Sequence, residues 1–284
     1  MRLLLGAMIL WLASAGSSLA QDRPQAGTID LIEGDALIEA RGLPNRTAKF
    51  GEPVHQGDTI TTFAGAELHL RMADGGYLSL RENTKITLTT YRANGDEQDA
   101  SLIDLAKGAL RSVTGWIAKQ RRTAYSVRTP MVTIGVRGTD HEIAHFEAGD
   151  RRGEPGSYDK VNEGRTVMRS KTGSVEVAPN QSARFHSDLR GPPRVLPSVP
   201  AFFKPARNER QFVERSQVSA RTLDAQRAAF REKKGLNKKR PPEKKAAQKK
   251  QIEQKKQIEK KRFEKKDAPQ KKQFEKKHFE KKHK

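Results

Sequence analysis

The stretch AELHLRMADGGYLSL, residues 66–80, decides the fold class of this chain. Apolar and polar residues alternate along 66–72 and again along 77–80, and the turn sequence DGG (74–76) separates the two runs. Runs with a period of two that are bounded by glycine and aspartate are typical of short β-strands. The stretch therefore predicts two neighbouring strands, belonging either to an antiparallel sheet or to a solenoid.

The same pattern recurs on both sides of this stretch. Alternating runs lie at 28–32, 36–40, 85–91 and 173–177, and they are bounded by glycine, asparagine or aspartate. A regular spacing of about 8–12 residues favours an all-β architecture over a fold of alternating strands and helices. No window in this part of the sequence shows a helical stripe. The sequence thus predicts one all-β domain over 27–188, built as a roll, a sandwich or a twisted β-solenoid.

The sequence changes character after this domain. Five prolines lie in 189–207, and because proline has no backbone N–H group to donate, this part is expected to stay outside any sheet as a stiff linker. Apolar residues spaced among arginine, glutamate and glutamine over 208–234 predict a short amphipathic helix. Residues 235–284 form a lysine-rich tail.

The tail is an internal repeat that holds most of the net charge of the chain. Three units of eleven residues, 249–259, 260–270 and 271–281, each begin with two basic residues. From residue 231 onward the chain has 24 Lys and Arg against 8 Asp and Glu, which gives a net charge of 24 − 8 = +16 out of +21. Like charges at this density predict a disordered tail.

Lysine doublets of this kind bind polyanions without reading a sequence, because each bound phosphate releases a counterion. Anionic envelope polymers and lipid head groups are therefore the expected partners of the tail. The residues expected to contact them are Lys249, Lys250, Lys255, Lys256, Lys260, Lys261, Lys271, Lys272, Lys276 and Lys277. The alternative is that the tail only keeps the protein soluble.

The N-terminus determines the expected compartment. Arg2 precedes an apolar run at 3–12, and residues 18–20 (SLA) have the small-x-small pattern of a cleavage site. This order is typical of a secretory signal peptide over residues 1–20, with an uncleaved anchor as the alternative. The chain has no cysteine, which excludes thiol catalysis and thiolate metal sites. A periplasmic or secreted location is expected, with no transmembrane segment after cleavage.

A second informative segment is SVRTPMVTIGVRGTD, residues 126–140. It predicts a strand that ends at Arg-Thr-Pro and a second strand that closes with Val-Arg-Gly-Thr, and it resembles the signature of the FecR domain family. The residues that carry this resemblance are Arg128, Thr129, Pro130, Gly135, Val136, Arg137, Gly138 and Thr139. Elements at 51–60, 70–80, 105–110 and 163–181 are also similar to those of the family.

The resemblance implies a periplasmic β-rich domain that serves in cell-surface signalling or envelope sensing. In the best-known members of the family this domain lies outside an inner-membrane anti-sigma regulator. The present sequence shows no cytoplasmic anti-sigma segment before its apolar run. We therefore expect a soluble sensing, scaffolding or signalling domain that binds an envelope protein or a small ligand through its β surface.

The motif also has a physical interpretation. Gly135 and Gly138 permit a bulge or a close backbone approach that a side chain would block. Pro130 requires an extended residue before it and a break in the strand. Arg137 is expected either to be buried against a carboxylate or backbone carbonyls, or to present its guanidinium group to an anionic ligand.

One motif suggests an enzyme. Residues 141–145 (HEIAH) match the H-E-x-x-H pattern of zinc peptidases, which needs both histidines on one face of a helix and the glutamate as general base. Here no metzincin continuation supplies a third ligand, and the motif follows a predicted strand. On a strand, His141 and His145 share one face and Glu142 points to the other. We therefore expect no enzymatic activity and no cofactor; a zinc peptidase, or a non-catalytic metal site at His141 and His145, is the alternative.

Overall fold

The computed structural model describes residues 23–121, 123–136, 138–186 and 191–233. The predicted signal peptide, the lysine-rich tail and Arg137 lie outside the described residues. The described residues form seventeen strands and three helices. The strands are β1 (Gln25–Glu33), β2 (Ala36–Glu39), β3 (Arg46–Thr47), β4 (Pro53–His55), β5 (Thr59–Thr62), β6 (Glu67–Met72), β7 (Tyr77–Leu80), β8 (Lys85–Arg92), β9 (Ala100–Val113), β10 (Tyr125–Arg128), β11 (Thr133–Val136), β12 (Asp140–Phe146), β13 (Gly156–Glu163), β14 (Thr166–Ser170), β15 (Gly173–Val177), β16 (Ser182–Phe185) and β17 (Arg194–Val195). The helices are α1 (Trp116–Gln120), α2 (Glu209–Arg221) and α3 (Leu223–Lys233).

The strands form two sheets that share one strand. The order in sheet A is β4-β1-β6-β7-β9-β12-β13-β16-β17. The order in sheet B is β3-β2-β5-β8-β9-β10-β11-β14-β15, and in the described residues only the pair of β9 with β10 is parallel. The prediction of an all-β fold is confirmed. The stretch 66–80 contributes β6 and β7, which are paired antiparallel with Leu68 opposite Leu80.

Strand β9 joins the two sheets because it bends at Gly108. Its first part pairs with β8 from Ala100 to Lys107, and its last part pairs with β7 from Leu110 to Val113. Gly108 has a φ of +96°, and a Cβ atom at this position would lie 2.4 Å from the Oγ1 atom and 2.5 Å from the Cα atom of Thr84. Only glycine meets both conditions, so this residue fixes the point at which the chain passes from one sheet to the other.

One hydrophobic core lies between the sheets. Leu70 and Leu110 of sheet A and Ile86, Ile103 and Val127 of sheet B belong to the same cluster and are almost fully buried. Successive side chains of a strand point to opposite faces, so the alternating apolar residues collect on the faces that the sheets turn toward each other. The two sheets therefore pack face to face around one shared core.

Helix α1 has no counterpart in the sequence predictions. Its five residues are too few to produce a helical stripe, so the sequence pattern could not indicate it. Its Trp116 is 2% exposed, and the Nε1 atom donates a hydrogen bond of 2.9 Å to Asp99 Oδ2.

The proline-rich segment 189–207 enters a sheet, contrary to the prediction. Arg194–Val195 forms β17 and pairs with β16 at the edge of sheet A. Neither residue is a proline, and an edge strand is hydrogen-bonded on one side only, so prolines can flank it. The following segment contains α2 and α3 rather than one helix, and Thr222 separates them. Both helices belong to the same compact unit as the sheets.

Candidate functional site

We call residues 196–233 the C-terminal strap. Helix α3 of the strap packs on the core through Leu223 and on Trp116 of α1 through Phe230. Residues 196–221 of the strap cover the face of sheet A that points away from the core. Glu67 and His69 point to this face because they alternate with the core residues Leu68 and Leu70. We call this surface the covered face. It differs from the core in that most of its residues are polar or charged.

Helix α2 docks on the covered face through Phe212. The Phe212 ring is 1% exposed and makes edge contacts with His69 and Tyr77, with ring centres 5.4 and 5.7 Å away. The guanidinium carbon of Arg111 lies 5.1 Å from the centre of the same ring. Edge contacts and a cation over the ring add to the favourable burial of the aromatic surface.

Charged groups hold the first turn of α2. Arg111 binds Asp140 at 2.5 Å on the neighbouring strand and also forms an ion pair with Glu209 of the strap. The Asn208 backbone N–H donates a hydrogen bond of 3.2 Å to Glu67 Oε2. A buried docking surface that contains charges is favourable only when those charges are paired, and these contacts supply the pairs.

Both carboxylate oxygens of Glu67 have hydrogen-bond partners. Its Oε1 atom lies 2.7 Å from His69 Nε2, and its Oε2 atom accepts from Asn208. Burial raises the pKa of Glu67, but the hydrogen bond and the charge of His69, together with the hydrogen bonds from Asn208, outweigh burial, so the pKa lies below its usual value.

A second hydrophobic cluster holds the beginning of the strap. Phe203 is 8% exposed and packs in a cluster with Phe146 and Tyr158 of sheet A. The Phe202 ring lies next to it, with its centre 4.9 Å from that of Phe146 and 5.0 Å from that of Tyr158. The strap is therefore anchored by aromatic residues at two separate places.

A cavity of about 730 Å³ lies under the strap between these two anchors, and we call it the strap cavity. The sheet side is lined by the small residues Gly65, Ala66 and Ala109, and the strap side by Ala201, Pro205 and Ala206. The remaining lining consists of the aromatic residues Phe146 and Phe202, the basic residues Arg81, Arg151, Arg152, Lys204 and Arg207, and the carboxylates of Glu67 and Glu82.

Glu142 is an ionised structural carboxylate beside the strap cavity. Its Oε2 atom accepts a hydrogen bond of 2.8 Å from Arg81, and its Oε1 atom accepts one of 2.8 Å from Lys160. Burial raises the pKa of Glu142, but the hydrogen bonds and charges of Lys160 and Arg81 outweigh burial and hold the pKa below its usual value.

The H-E-x-x-H segment lies on strand β12 and not on a helix. His141 Nδ1 lies 3.0 Å from Asp159 Oδ1, and His145 Nδ1 lies 3.0 Å from Ser157 Oγ; both histidines are buried. Glu142 points to the opposite face, so the helical geometry of a zinc peptidase is not present. Throughout the ranges that the structure describes, no three His, Cys, Asp or Glu side chains are grouped so that they could hold a metal ion.

The Arg-Thr-Pro part of the 126–140 segment forms the turn between β10 and β11. Thr129 Oγ1 accepts a hydrogen bond of 3.0 Å from Val132 N and lies 2.7 Å from Ser157 Oγ. Arg128 binds both oxygens of Asp104, at 2.6 and 2.7 Å, on the exposed face of sheet B. These residues stabilise the local structure, and they lie apart from the residues that line the strap cavity.

The Val-Arg-Gly-Thr part carries the chain from sheet B to sheet A. It follows β11, which ends at Val136, and Gly138 in it has a φ of +60°. Thr139 N donates a hydrogen bond of 2.8 Å to Thr114 Oγ1, which ties the beginning of β12 to the end of β9. Arg137 lies outside the described residues, and both of its predicted roles stay predictions.

Sequence reasoning missed the residues of the covered face. Arg111 and Glu209 are 98 positions apart and meet only because the strap folds back over sheet A. The pair Phe202 and Phe203, in a segment otherwise rich in proline, was the available signal, since two adjacent aromatic residues are unusual in a solvated linker.

Residues 58–154 match a family model described as FecR protein. The chain contains a FecR domain. The matched segment spans about a third of the chain and runs from the beginning of β5 past the end of β12, so it includes the bend of β9 and the 126–140 segment. The match supports a signalling or sensing role. No curated protein matches the chain.

Several solved structures are similar to parts of the chain, and three of them are described below. Two are crystal structures of a "putative anti-sigma factor" from Parabacteroides distasonis, with sequence identities of 13% and 14% and TM-scores of 0.40 and 0.39. In each alignment 49% of this chain covers 59% of the other, so this chain spans about three-fifths of their length. The third, a "Cell surface anchoring domain", has 20% identity and a TM-score of 0.21, with 22% of this chain covering 80% of that one.

Proposed function

We propose that this protein is a non-enzymatic sensing, scaffolding or signalling protein that acts outside the cytoplasm, in the periplasm or after secretion. The observation that carries the proposal is the FecR domain at residues 58–154, because this family is regulatory. A sensing domain needs a surface that binds an envelope protein or a small ligand, and the strap cavity is a concave surface of the size that a small ligand needs.

The arrangement around Glu142 supports a non-enzymatic role over the peptidase alternative. A general base needs access to the proton that it removes, whereas both oxygens of Glu142 are already occupied by Arg81 and Lys160. Zinc analysis of the purified chain checks this point, and we expect no stoichiometric zinc after equilibration with a zinc salt. One zinc ion per chain, together with peptidase activity that the Glu142→Gln variant lacks, would contradict the proposal.

Export is proposed from the N-terminal sequence, residues 1–20. Among the described helices, none combines the length and the apolar composition required to cross a membrane. Fractionation of cells that produce the full chain should recover the protein from the periplasm or the medium. Recovery from the cytoplasm, with the N-terminal segment intact, would contradict this location.

The sensing role is tested in the native host by deletion of the gene. We expect a change in the transcription of envelope genes that the full chain restores and that a chain lacking residues 2–20 does not. Identical transcription in the deletion strain and the parent, with and without envelope stress, would refute the sensing role.

A second candidate function lies in the tail, since residues 231–284 hold +16 of the net charge of +21. We propose that its lysine doublets attach the protein to anionic envelope polymers or lipid head groups through counterion release. The test compares the full chain with a full-length variant in which the ten tail lysines from Lys249 to Lys277 named above are glutamines. Sedimentation with vesicles of anionic lipid should fall steeply with salt for the unaltered chain and be lost for the variant. Equal binding of both would refute a role for the tail.

A further inference from the structure

We propose that the strap cavity binds a small amphiphilic anion, a molecule with a carboxylate or phosphate group on a short apolar chain. This inference rests on the proposed sensing function, because it names the class of ligand that the domain would sense.

The space exists because small residues lie between two bulky anchors. The sheet side of the cavity is formed by residues with small or no side chains, Gly65, Ala66 and Ala109, which fill little of the space under the strap. The clusters around Phe203 and Phe212 hold the strap on either side of this space. A volume of about 730 Å³ falls within the range of about 300–1,000 Å³ that is usual for small-molecule sites. The cavity is therefore large enough for a small ligand.

The charges of the lining favour an anion. Five basic side chains face two carboxylates, and Glu67 and Glu82 already accept hydrogen bonds from the protein. Arg81, Arg152 and Arg207 are paired with carboxylates of the chain; their partners are Glu142, Asp150 and Glu33, respectively.

Two of the five basic residues remain uncommitted. Within the described ranges, the side chains of Arg151 and Lys204 have no hydrogen-bond or ion-pair partner. They come from two separate parts of the chain, the loop after β12 and the strap. A carboxylate or phosphate that reaches both would form charge-assisted hydrogen bonds, which are stronger than neutral ones. Such a ligand would also link the strap to the sheet.

The rest of the lining is suited to an apolar chain. The Phe202 ring and the side chains of Ala201, Pro205 and Ala206 are exposed or half-buried and offer surface without donors or acceptors. An inorganic anion would leave this surface wet, whereas an amphiphile covers it and gains the corresponding hydrophobic free energy. The lining therefore favours an anion with an apolar chain over phosphate alone.

Calorimetric titration of the full chain with decanoate, decyl phosphate and decanol tests the proposal, at a salt concentration that screens the tail. We expect one site for the anions and much weaker binding of decanol. If both anions bind, the site selects its ligand by negative charge alone. If only one of them binds, the site prefers that head group, carboxylate or phosphate. Either result supports the proposal. Binding of decanol as tightly as of the anions, or no binding at all, would overturn it.

Variants show whether the binding takes place in the cavity. The Arg151→Ala/Lys204→Ala variant should bind at least about ten-fold more weakly, as expected when charge-assisted hydrogen bonds are lost. Ala201 is exposed on the cavity lining, so the Ala201→Trp variant should block binding without disturbing the core.

The matched control is Arg169→Ala/Lys171→Ala, which removes the same charge from exposed positions on and beside β14 of sheet B. This control should bind like the unaltered chain. The proposal would be overturned if the control bound the anion as weakly as the Arg151→Ala/Lys204→Ala variant does. It would also be overturned if only the variant with a neutralised tail lost binding. Either result would place the anion outside the strap cavity. The proposed sensing role is tested separately, by transcription in the deletion strain.

Discussion

The core between the sheets and the covered face of sheet A are both buried, but they are built in different ways. The core collects aliphatic side chains from neighbouring strands, whereas the covered face buries charged groups such as Arg111 and Glu67 under a distant part of the chain. The core needs only apolar residues of about the right size, while the covered face needs specific partners for each charge. The difference predicts that the contacts on the covered face separate more easily than the core does.

The largest effect is expected where the core is fixed, at Gly108. The Gly108→Ala variant should lose about 2–6 kcal/mol of unfolding free energy, since backbone strain and overpacking each cost about 1–3 kcal/mol. Gly149→Ala is the matched control, because Gly149 has a φ of +88° but nothing within 4 Å of its Cβ position. Urea unfolding measures both variants. Equal losses in the two would contradict the role of the close contact with Thr84.

The next largest effect is expected at Phe212, on the covered face. The Phe212→Ala variant should lose about 3 kcal/mol of the free energy of docking the strap, since it removes a buried aromatic side chain. We expect proteases to cleave residues 196–221 while the sheets stay folded. The control is Phe50→Ala, at a residue that is 71% exposed. It should change neither the free energy of docking the strap nor the cleavage of the strap by proteases. A cooperative loss of the whole domain in Phe212→Ala would show that the core and the covered face are one unit.

An intermediate effect, with a pH dependence, is expected at Glu142. The pKa of Glu142 is lowered in the folded protein, so its contribution is fully present above its usual value of 4.5 and is lost as the pH falls through the folded pKa. The Glu142→Gln variant should be about 2 kcal/mol less stable at neutral pH, in line with hydrogen bonds to charged groups.

Urea unfolding between pH 7 and pH 3 measures this dependence. The Glu142→Gln variant should lose less stability than the unaltered chain as the pH falls below 4.5. Glu176→Gln removes a carboxylate from an exposed ion pair with Arg165 and serves as the control. The same acid dependence in Glu142→Gln and in the unaltered chain would refute the assignment.

The smallest effect is expected at Arg128, although it lies in the 126–140 segment. Its pair with Asp104 is on the exposed face of sheet B, and its side chain is 50% exposed. The Arg128→Ala variant should therefore lose less than about 1 kcal/mol of unfolding free energy, as is usual for surface ion pairs. Thermal or urea unfolding checks this, and a loss as large as that of Glu142→Gln would remove the distinction between the exposed face and the covered face.

The core could be predicted from the sequence, and the covered face could not. Alternation in 66–80 is a local signal, and it is sufficient to place Leu68 and Leu70 on one face and His69 on the other. The partner of that second face is set by long-range contacts, such as Phe212 on His69, which no local period records. The turn at Thr129 could be predicted from Pro130. Strand β17 could not be predicted from the proline content of its segment, because its residues Arg194 and Val195 lie between the prolines.

The central claim is that α2 of the strap is docked on the covered face and can be released independently of the core. Hydrogen exchange of the full chain, with and without Phe212→Ala, tests it most directly. We predict that the amides of α2 are protected in the unaltered chain, exchange before those of β9, and lose protection in the variant while β9 keeps it. Exchange of α2 at the rate of an unstructured peptide in the unaltered chain, or equal loss of protection in α2 and β9, would contradict the account.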